Sequence, residues 1–207
     1  MDDQFPCASI NSGLAFSRAK GPELWVLLLE KAYAKMYGSY FTIEGGDPAI
    51  ALRDLTGAPV AYLDNCEDNL KLWDFIYGAE QKSKHRPRPR PKLSLASHPL
   101  EWIITCYTKS TNVREEQKEI GIVSGHAYSI LDAREVNTIL GKERLLQIRN
   151  PWGKFEWKGD WGDSSDKWTD ELKLALGWVH ADDGCFWMCL EDFKLYYEGV
   201  DHSTIFF

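Results

Sequence analysis

The spacing of hydrophobic positions changes partway along this chain. Before residue 80, apolar residues recur every three to four positions, which predicts amphipathic helices. One helix is predicted after Gly21-Pro22 and before Gly38, because proline favours the first helical turn and glycine stops a helix. Glu23 suits the positive end of the helix dipole. The apolar positions of this helix are Leu24, Trp25, Leu28, Leu29, Ala32 and Met36.

Two shorter helices are predicted downstream. Asp47 can cap a helix and Pro48 can occupy its first position, after the turn formed by Gly45-Gly46. A further helix is predicted over about residues 67–77. Its buried positions are Leu70, Trp73 and Ile76.

Beyond residue 100 the pattern becomes typical of strands. Short runs of β-branched, aromatic and aliphatic residues are separated by polar or glycine-rich connections. These runs are residues 102–107, 126–131, 145–149 and 186–190. Helices followed by strands predict an α+β fold with a mainly antiparallel sheet.

A basic, proline-rich segment, residues 82–92, lies between the helical and the strand-rich parts. Alternating prolines remove backbone donors and favour an exposed, extended loop. Two interpretations are open. The segment is either a docking peptide for an SH3-like or acidic partner, or a solvated insertion.

Composition narrows the classes of function. The chain has 207 residues, of which 44% are hydrophobic and 13% aromatic, which suffices for one domain with a buried core. The net charge of -7 argues against a nucleic-acid partner, because an acidic surface repels phosphates.

The acidic start, Met1-Asp2-Asp3-Gln4, is unlike a signal peptide, and the longest apolar run, residues 24–29, is too short to span a bilayer. Five scattered cysteines predict neither disulfides nor a zinc site, so we expect a cytoplasmic protein.

Two polar residues at the edges of predicted strands carry candidate chemistry. His126 shares a strand face with Tyr128 and Ile130, and Gly125 leaves room beside the imidazole. Asn150 ends its strand before a proline, so its amide oxygen can accept from an imidazole N–H. Such a bond sets the histidine tautomer while the other ring nitrogen deprotonates a thiol. Taken singly, each residue also fits a structural role, as a hydrogen-bonded histidine or a turn asparagine.

These residues lie in segments that resemble a known family. Residues 124–129 (SGHAYS) and 149–153 (RNPWG) closely resemble the His and Asn motifs of calpains. The likeness extends over nearly the whole chain. It includes ELW at 23–25, LEKAYAK at 29–35, GSY at 38–40, GG at 45–46, DLTG at 54–57, EW at 156–157, WGDSS at 161–165 and FWM at 186–188.

The resemblance implies the second half of a papain-like cysteine protease core. It assigns residues 1–20 to a junction from a missing first half and residues 21–207 to the subdomain that bears the His and Asn. His126 would activate a thiol on the first half across a cleft, and Asn150 would orient the imidazole. Trp152 would shield their hydrogen bond from water, although a core tryptophan is an equal alternative.

The catalytic cysteine of that family has no counterpart here. Calpains carry it in the first half, after a glutamine that helps to form the oxyanion hole. Cys7 follows Pro6 in a segment too short for a helix, so it lacks the cationic or helix N-terminal setting of a reactive thiolate. We therefore expect the isolated chain to be inactive.

The resemblance also implies a calcium site on acidic loops. Its ligands would be the side chains of Glu156, Asp163 and Asp183 and the carbonyl of Ala181. Cys185 stands where the family has a further carboxylate, so we expect weakened binding. Without the resemblance, these residues form a solvated acidic loop.

We expect part of a calcium-dependent cysteine endopeptidase that acts on protein substrates together with a Cys-bearing first half. The alternative is a non-catalytic, calpain-like module that binds calcium or a partner. A papain-like acyltransferase or transglutaminase relative is disfavoured, because an Asp usually replaces Asn150 there.

Overall fold

The computed structural model describes residues 4–9, 13–17, 23–64, 66–84, 101–109, 119–139 and 141–205. The chain forms two compact units, Met1–Asp47 and Pro48–Phe207. The resemblance implied a boundary between residues 20 and 21, which differs from this division. That boundary concerns the complete protease core and stays a prediction. No helix in the described ranges has the length and apolar content needed to cross a membrane.

The first unit contains the predicted helix as α1, Trp25–Met36. Gly38 follows its end with a positive φ of 96°, as expected for a glycine stop. The predicted Pro22 lies outside the described residues. Burial along α1 does not follow its apolar positions: Trp25 is 64% exposed, whereas Lys31 is buried. Lys31 is accommodated because its ammonium donates to the carbonyl of Gln4 and lies 5.2 Å from the ring centroid of Phe5.

The second unit contains the sheet and the remaining helices. Its elements are α2 Pro48–Thr56, β1 Val60–Asp64, α3 Asn69–Lys84, β2 Glu101–Thr108, β3 Ala127–Thr138, β4 Gly141–Arg149, α4 Asp170–Leu176, β5 Cys185–Cys189, α5 Leu190–Tyr196 and β6 Tyr197–Ile205. Within the described residues these strands form one six-stranded sheet in the order β1-β6-β2-β3-β4-β5. Every neighbouring pair is antiparallel, so the predicted α+β fold is confirmed.

Several elements escaped the sequence patterns. β6 was not predicted, because its buried residues include the polar Asp201 and Ser203 and interrupt any apolar run. β1 was missed because it is a short edge strand with mainly exposed or half-buried residues. The predicted basic loop starts too early, since residues 82–84 belong to α3. The rest of that loop, residues 85–92, lies outside the described residues.

Two hydrophobic clusters hold the sheet in place. The larger contains the fully buried Ile76 of α3, Ile148 of β4 and Phe186 of β5. The smaller surrounds Trp161 and Trp187, on the other side of β4 and β5. Packing on both faces of the sheet fixes the end of β4 and the start of β3. The candidate residues His126 and Asn150 lie directly beside these two strand ends.

Candidate active site

His126 and Asn150 meet at one end of the neighbouring strands β3 and β4. His126 immediately precedes β3 and Asn150 immediately follows β4, and Ser129 pairs with Arg149 in the antiparallel ladder. Because β3 and β4 are antiparallel, the start of β3 lies beside the end of β4, and the residues that flank these two ends are neighbours. The Nε2 atom of His126 lies 3.0 Å from Oδ1 of Asn150.

The amide of Asn150 is held in one orientation. Its Oδ1 also accepts the backbone N–H of Trp152 at 3.0 Å, and its Nδ2 donates to the carbonyl of Phe155 at 3.4 Å. Asn150 is 0% exposed, so water cannot replace these partners. An amide oxygen can only accept, so Nε2 of His126 carries the proton and Nδ1 offers a lone pair.

The imidazole is biased toward its neutral form. Partial burial lowers the pKa of His126 from its ordinary 6.5, and the hydrogen bond to Asn150 offsets part of this effect. A neutral ring with an unprotonated Nδ1 is the form that accepts a proton.

Trp152 covers the imidazole. The ring centroids of His126 and Trp152 are 4.3 Å apart, with an interplanar angle of 39°. Trp152 is 54% exposed, so it is not a core tryptophan. An indole in this position separates the imidazole from water on one side.

Tyr128 contacts the imidazole from within the fold. The rings of His126 and Tyr128 pack edge to face with centroids 5.1 Å apart, which confirms that they share a strand face. The Tyr128 hydroxyl accepts the N–H of Val123 at 2.8 Å. Burial raises the pKa of Tyr128 to about 12, so this tyrosine stays neutral and acts as packing.

Thr108 is a site residue that the sequence analysis missed. Its hydroxyl accepts the backbone N–H of His126 at 3.0 Å and lies 2.7 Å from the carbonyl of Val123, to which it donates. The ladder between β2 and β6 shifts register at Thr108, and Thr108 is buried. A threonine at a strand end has no distinctive sequence signal, so only the structure reveals this contact.

The acidic loops contact each other through backbone N–H groups. Oε1 of Glu156 accepts from Asp183 at 2.8 Å and from Gly184 at 2.7 Å. Oδ2 of Asp163 accepts the N–H of Ala181 at 3.2 Å, and Oδ1 of Asp183 accepts that of Cys185 at 2.8 Å. The four expected calcium ligands therefore lie on loops that are hydrogen bonded to one another.

The donor chemistry of these loops fits a hard cation. Burial raises the pKa values of Glu156 and Asp163, with smaller contributions from neighbouring carboxylates. Each carboxylate keeps one oxygen outside the hydrogen bonds just described. In the described residues, however, no three His, Cys, Asp or Glu side chains converge on one metal position.

All five cysteines are free thiols. Burial is the main cause that raises the pKa of Cys185 to about 11, that of Cys189 to about 12, and that of Cys106 well above its usual range. Cys7 is exposed and lies in an isolated bridge with Leu14. Within the second unit, none of the thiols that the structure describes is hydrogen bonded to His126.

A neutral imidazole oriented by an amide oxygen is able to act as a general base. The chain matches the model of the calpain family of cysteine proteases over residues 1–204. It is 37% identical over 202 residues to the calpain-type cysteine protease DEK1 of Arabidopsis thaliana, which covers 97% of this chain. It is 36% identical over 201 residues to human calpain-14, which covers 95% of it. The chain belongs to the calpain family.

The chain is much shorter than these relatives. It spans 9% of the length of the Arabidopsis protein and 26% of that of human calpain-14. A third relative, mouse calpain-5, is 31% identical over 214 residues, and the chain spans 32% of it. Family membership therefore concerns the part of those proteins that this chain matches.

Proposed function

We propose that this chain supplies the catalytic His126 and Asn150 of a calcium-dependent cysteine endopeptidase. The nucleophilic thiol comes from a Cys-bearing first half of the protease core, and the substrates are proteins. The observation that carries the proposal is the 3.0 Å bond from His126 to a buried Asn150, which leaves Nδ1 as a base. The five free thiols agree with a cytoplasmic location.

The geometry supports a two-stage reaction. Nδ1 of His126 takes the thiol proton, and the thiolate sulfur attacks the carbonyl carbon of the peptide bond. The imidazolium then protonates the amine, the C–N bond breaks, and an acyl-enzyme thioester forms. His126 next takes a proton from water, whose oxygen attacks the thioester carbon, and the C–S bond breaks. The proton returns to the sulfur, so the catalyst is restored.

Asn150 and Trp152 assist both stages without exchanging protons. Asn150 keeps Nε2 protonated and the ring oriented, so that the reacting nitrogen stays Nδ1. Trp152 covers one side of the imidazole and reduces competition from water for its hydrogen bond.

We also propose a weak calcium site formed by Glu156, Asp163, Asp183 and the Ala181 carbonyl. A bound cation would neutralise carboxylates that burial already disfavours, and would crosslink the two acidic loops. Cys185 adds no hard oxygen ligand, so binding in about the millimolar range is expected.

Calorimetric titration of the chain with calcium tests whether this site binds the cation. Asp163→Asn should abolish the signal and Asp182→Asn, an exposed neighbour, should preserve it; no heat with the unmodified chain would remove calcium from the proposal.

The decisive experiment uses the longest natural product of the gene that contains this chain. Its hydrolysis of an unfolded protein is measured with and without calcium, beside His126→Ala and the isolated 207-residue chain. Calcium-stimulated cleavage that is absent from the variant and from the isolated chain would support the proposal. A thermal melt of each protein excludes unfolding as the cause of any loss.

A non-catalytic, calpain-like module is the second candidate. It is favoured by the raised pKa values of Cys106, Cys185 and Cys189, which keep these three thiols protonated. Absence of cleavage by the folded natural product, with and without calcium, would support this candidate. For the basic segment at residues 82–92, a docking peptide for an SH3-like or acidic partner and a solvated insertion both stay predictions.

A further inference from the structure

We propose that Glu156 is a positioning residue for the His126–Asn150 pair, and that it acts as a hydrogen-bond acceptor without needing a cation. The inference rests on the proposed function, because the pair is catalytic only there. It assigns to Glu156 a task separate from metal binding: its carboxylate orients the backbone segment that carries Asn150.

The first step is the attachment of one loop to another. Oε1 of Glu156 accepts two consecutive backbone N–H groups, from Asp183 at 2.8 Å and Gly184 at 2.7 Å. These partners lie 27 and 28 positions away along the chain. Two neighbouring N–H groups share this acceptor, so a single oxygen sets the position of the loop before β5.

The second step transmits this position to Asn150. The carbonyl of Gly184 accepts the backbone N–H of Asn150 at 2.8 Å. Gly184 is buried and has a φ of 86°. A Cβ added there would lie 2.7 Å from the Asn150 carbonyl oxygen and 2.9 Å from the Cα of Gly153. The loop thus packs directly on the backbone around Asn150, with no space for independent movement.

The third step holds the Asn150 side chain from the same segment. Phe155, adjacent to Glu156, accepts the Nδ2 donor of Asn150 at 3.4 Å. The Glu156 backbone is itself confined, because a Cβ on Gly121 would lie 1.7 Å from the Glu156 carbonyl oxygen. Glu156 and its neighbour therefore hold both the backbone and the amide of Asn150, and Asn150 in turn holds Nε2 of His126.

An acceptor and a metal ligand have different chemical requirements. Accepting two N–H groups needs an oxygen at the reach of a glutamate side chain, and a neutral amide oxygen meets that need. Binding a divalent cation depends on negative charge. Glu156→Gln keeps the reach and removes the charge, whereas Glu156→Asp keeps the charge and shortens the side chain by about 1.5 Å, one C–C bond.

The test is NMR on the isotope-labelled 207-residue chain in excess chelator. The readouts are solvent exchange of the His126 Nε2 proton and of the Asn150 backbone amide, together with the pH titration of His126. Asp182→Asn is the matched control, because it removes an exposed charge from the same loop. Thermal melts report global stability separately.

We expect Glu156→Gln and Asp182→Asn to retain slow exchange at both protons. Glu156→Asp should accelerate both by about tenfold, the factor for losing one hydrogen bond. The proposal is overturned if Glu156→Asp leaves both exchange rates unchanged, or if Glu156→Gln accelerates them as much as Glu156→Asp does. If Glu156→Asp fails to fold, Glu156→Gln alone decides between an acceptor and a charge. None of these readouts needs turnover, so failure here is distinct from failure of the proposed protease function.

Discussion

Asn150 accepts a 3.0 Å hydrogen bond from His126 across the open edge of the β3–β4 ladder. Each residue lies one position outside its strand, so its side chain is not packed on a face of the sheet between two neighbouring strand residues. The pair is therefore held by two neighbouring antiparallel strands, while its side chains remain available for chemistry. Four measurements follow from this arrangement and its surroundings.

Replacing Asn150 by Ala should lower proteolytic activity and the pKa of His126 together. The bond to Asn150 raises the pKa of His126 against the effect of burial, so its loss moves this pKa further below 6.5. Loss of a buried hydrogen bond of about 1 to 3 kcal/mol corresponds to roughly a 5- to 150-fold fall in kcat/KM. Steady-state kinetics of the natural product and NMR titration of the chain measure the two effects. An unchanged His126 titration would contradict the assignment.

Replacing Trp152 by Ala should move the pKa of His126 in the opposite direction. Burial is the main cause of its lowered pKa, and the indole covers the imidazole at 4.3 Å between ring centroids. Removing the indole admits water, which favours the charged form and raises this pKa toward 6.5. Trp152→Phe retains an aromatic cover and should give a smaller rise. NMR titration of the three proteins distinguishes them; equal values in all three would exclude shielding by Trp152.

Thr108→Val should weaken the placement of His126, because valine has the same shape but no hydroxyl. The backbone N–H of His126 then loses its acceptor at a buried position, which costs about 1 to 3 kcal/mol of unfolding free energy. Thr108→Ser keeps the hydroxyl and loses only the methyl group, so it should retain most of the stability and activity. Chemical denaturation compares the two variants, and a Thr108→Val protein as stable as the wild type would contradict this role of the hydroxyl.

Acid should destabilise the fold partly through His126. Its folded-state pKa lies below the ordinary 6.5, so between these two values the unfolded chain binds more protons. The contribution of neutral His126 to the free energy of unfolding is fully present above pH 6.5 and is lost as the pH falls toward the lowered pKa. His126→Gln stays neutral, so the variant should lose less stability than the wild type between about pH 7 and pH 5. Denaturation curves across that range measure the difference, in which all other titrating groups cancel to first order; parallel pH profiles would contradict a buried neutral histidine.

Local patterns in the sequence correctly identified α1 and the strands that flank His126 and Asn150. These elements have regular apolar spacing and clear stop signals, such as Gly38 and Pro151. The apolar positions of α1 did not reveal the burial of Lys31, because that burial depends on the carbonyl of Gln4. β6 was missed because the polar Asp201 and Ser203 are buried within it. A pattern of apolar residues cannot reveal polar groups that become buried through partners distant in sequence.

The sequence by itself determined the family likeness, the α+β class and the identity of His126 and Asn150, since these depend on local order and spacing. Only the tertiary structure decided which ring nitrogen is free, because the orientation of Asn150 is set by Trp152 and Phe155. It also decided that Thr108 holds the His126 backbone and that Glu156 reaches the Gly184 loop. Hydrogen bonds between residues 18 and 28 positions apart leave no local signature, because their geometry exists only once the sheet has brought the loops together.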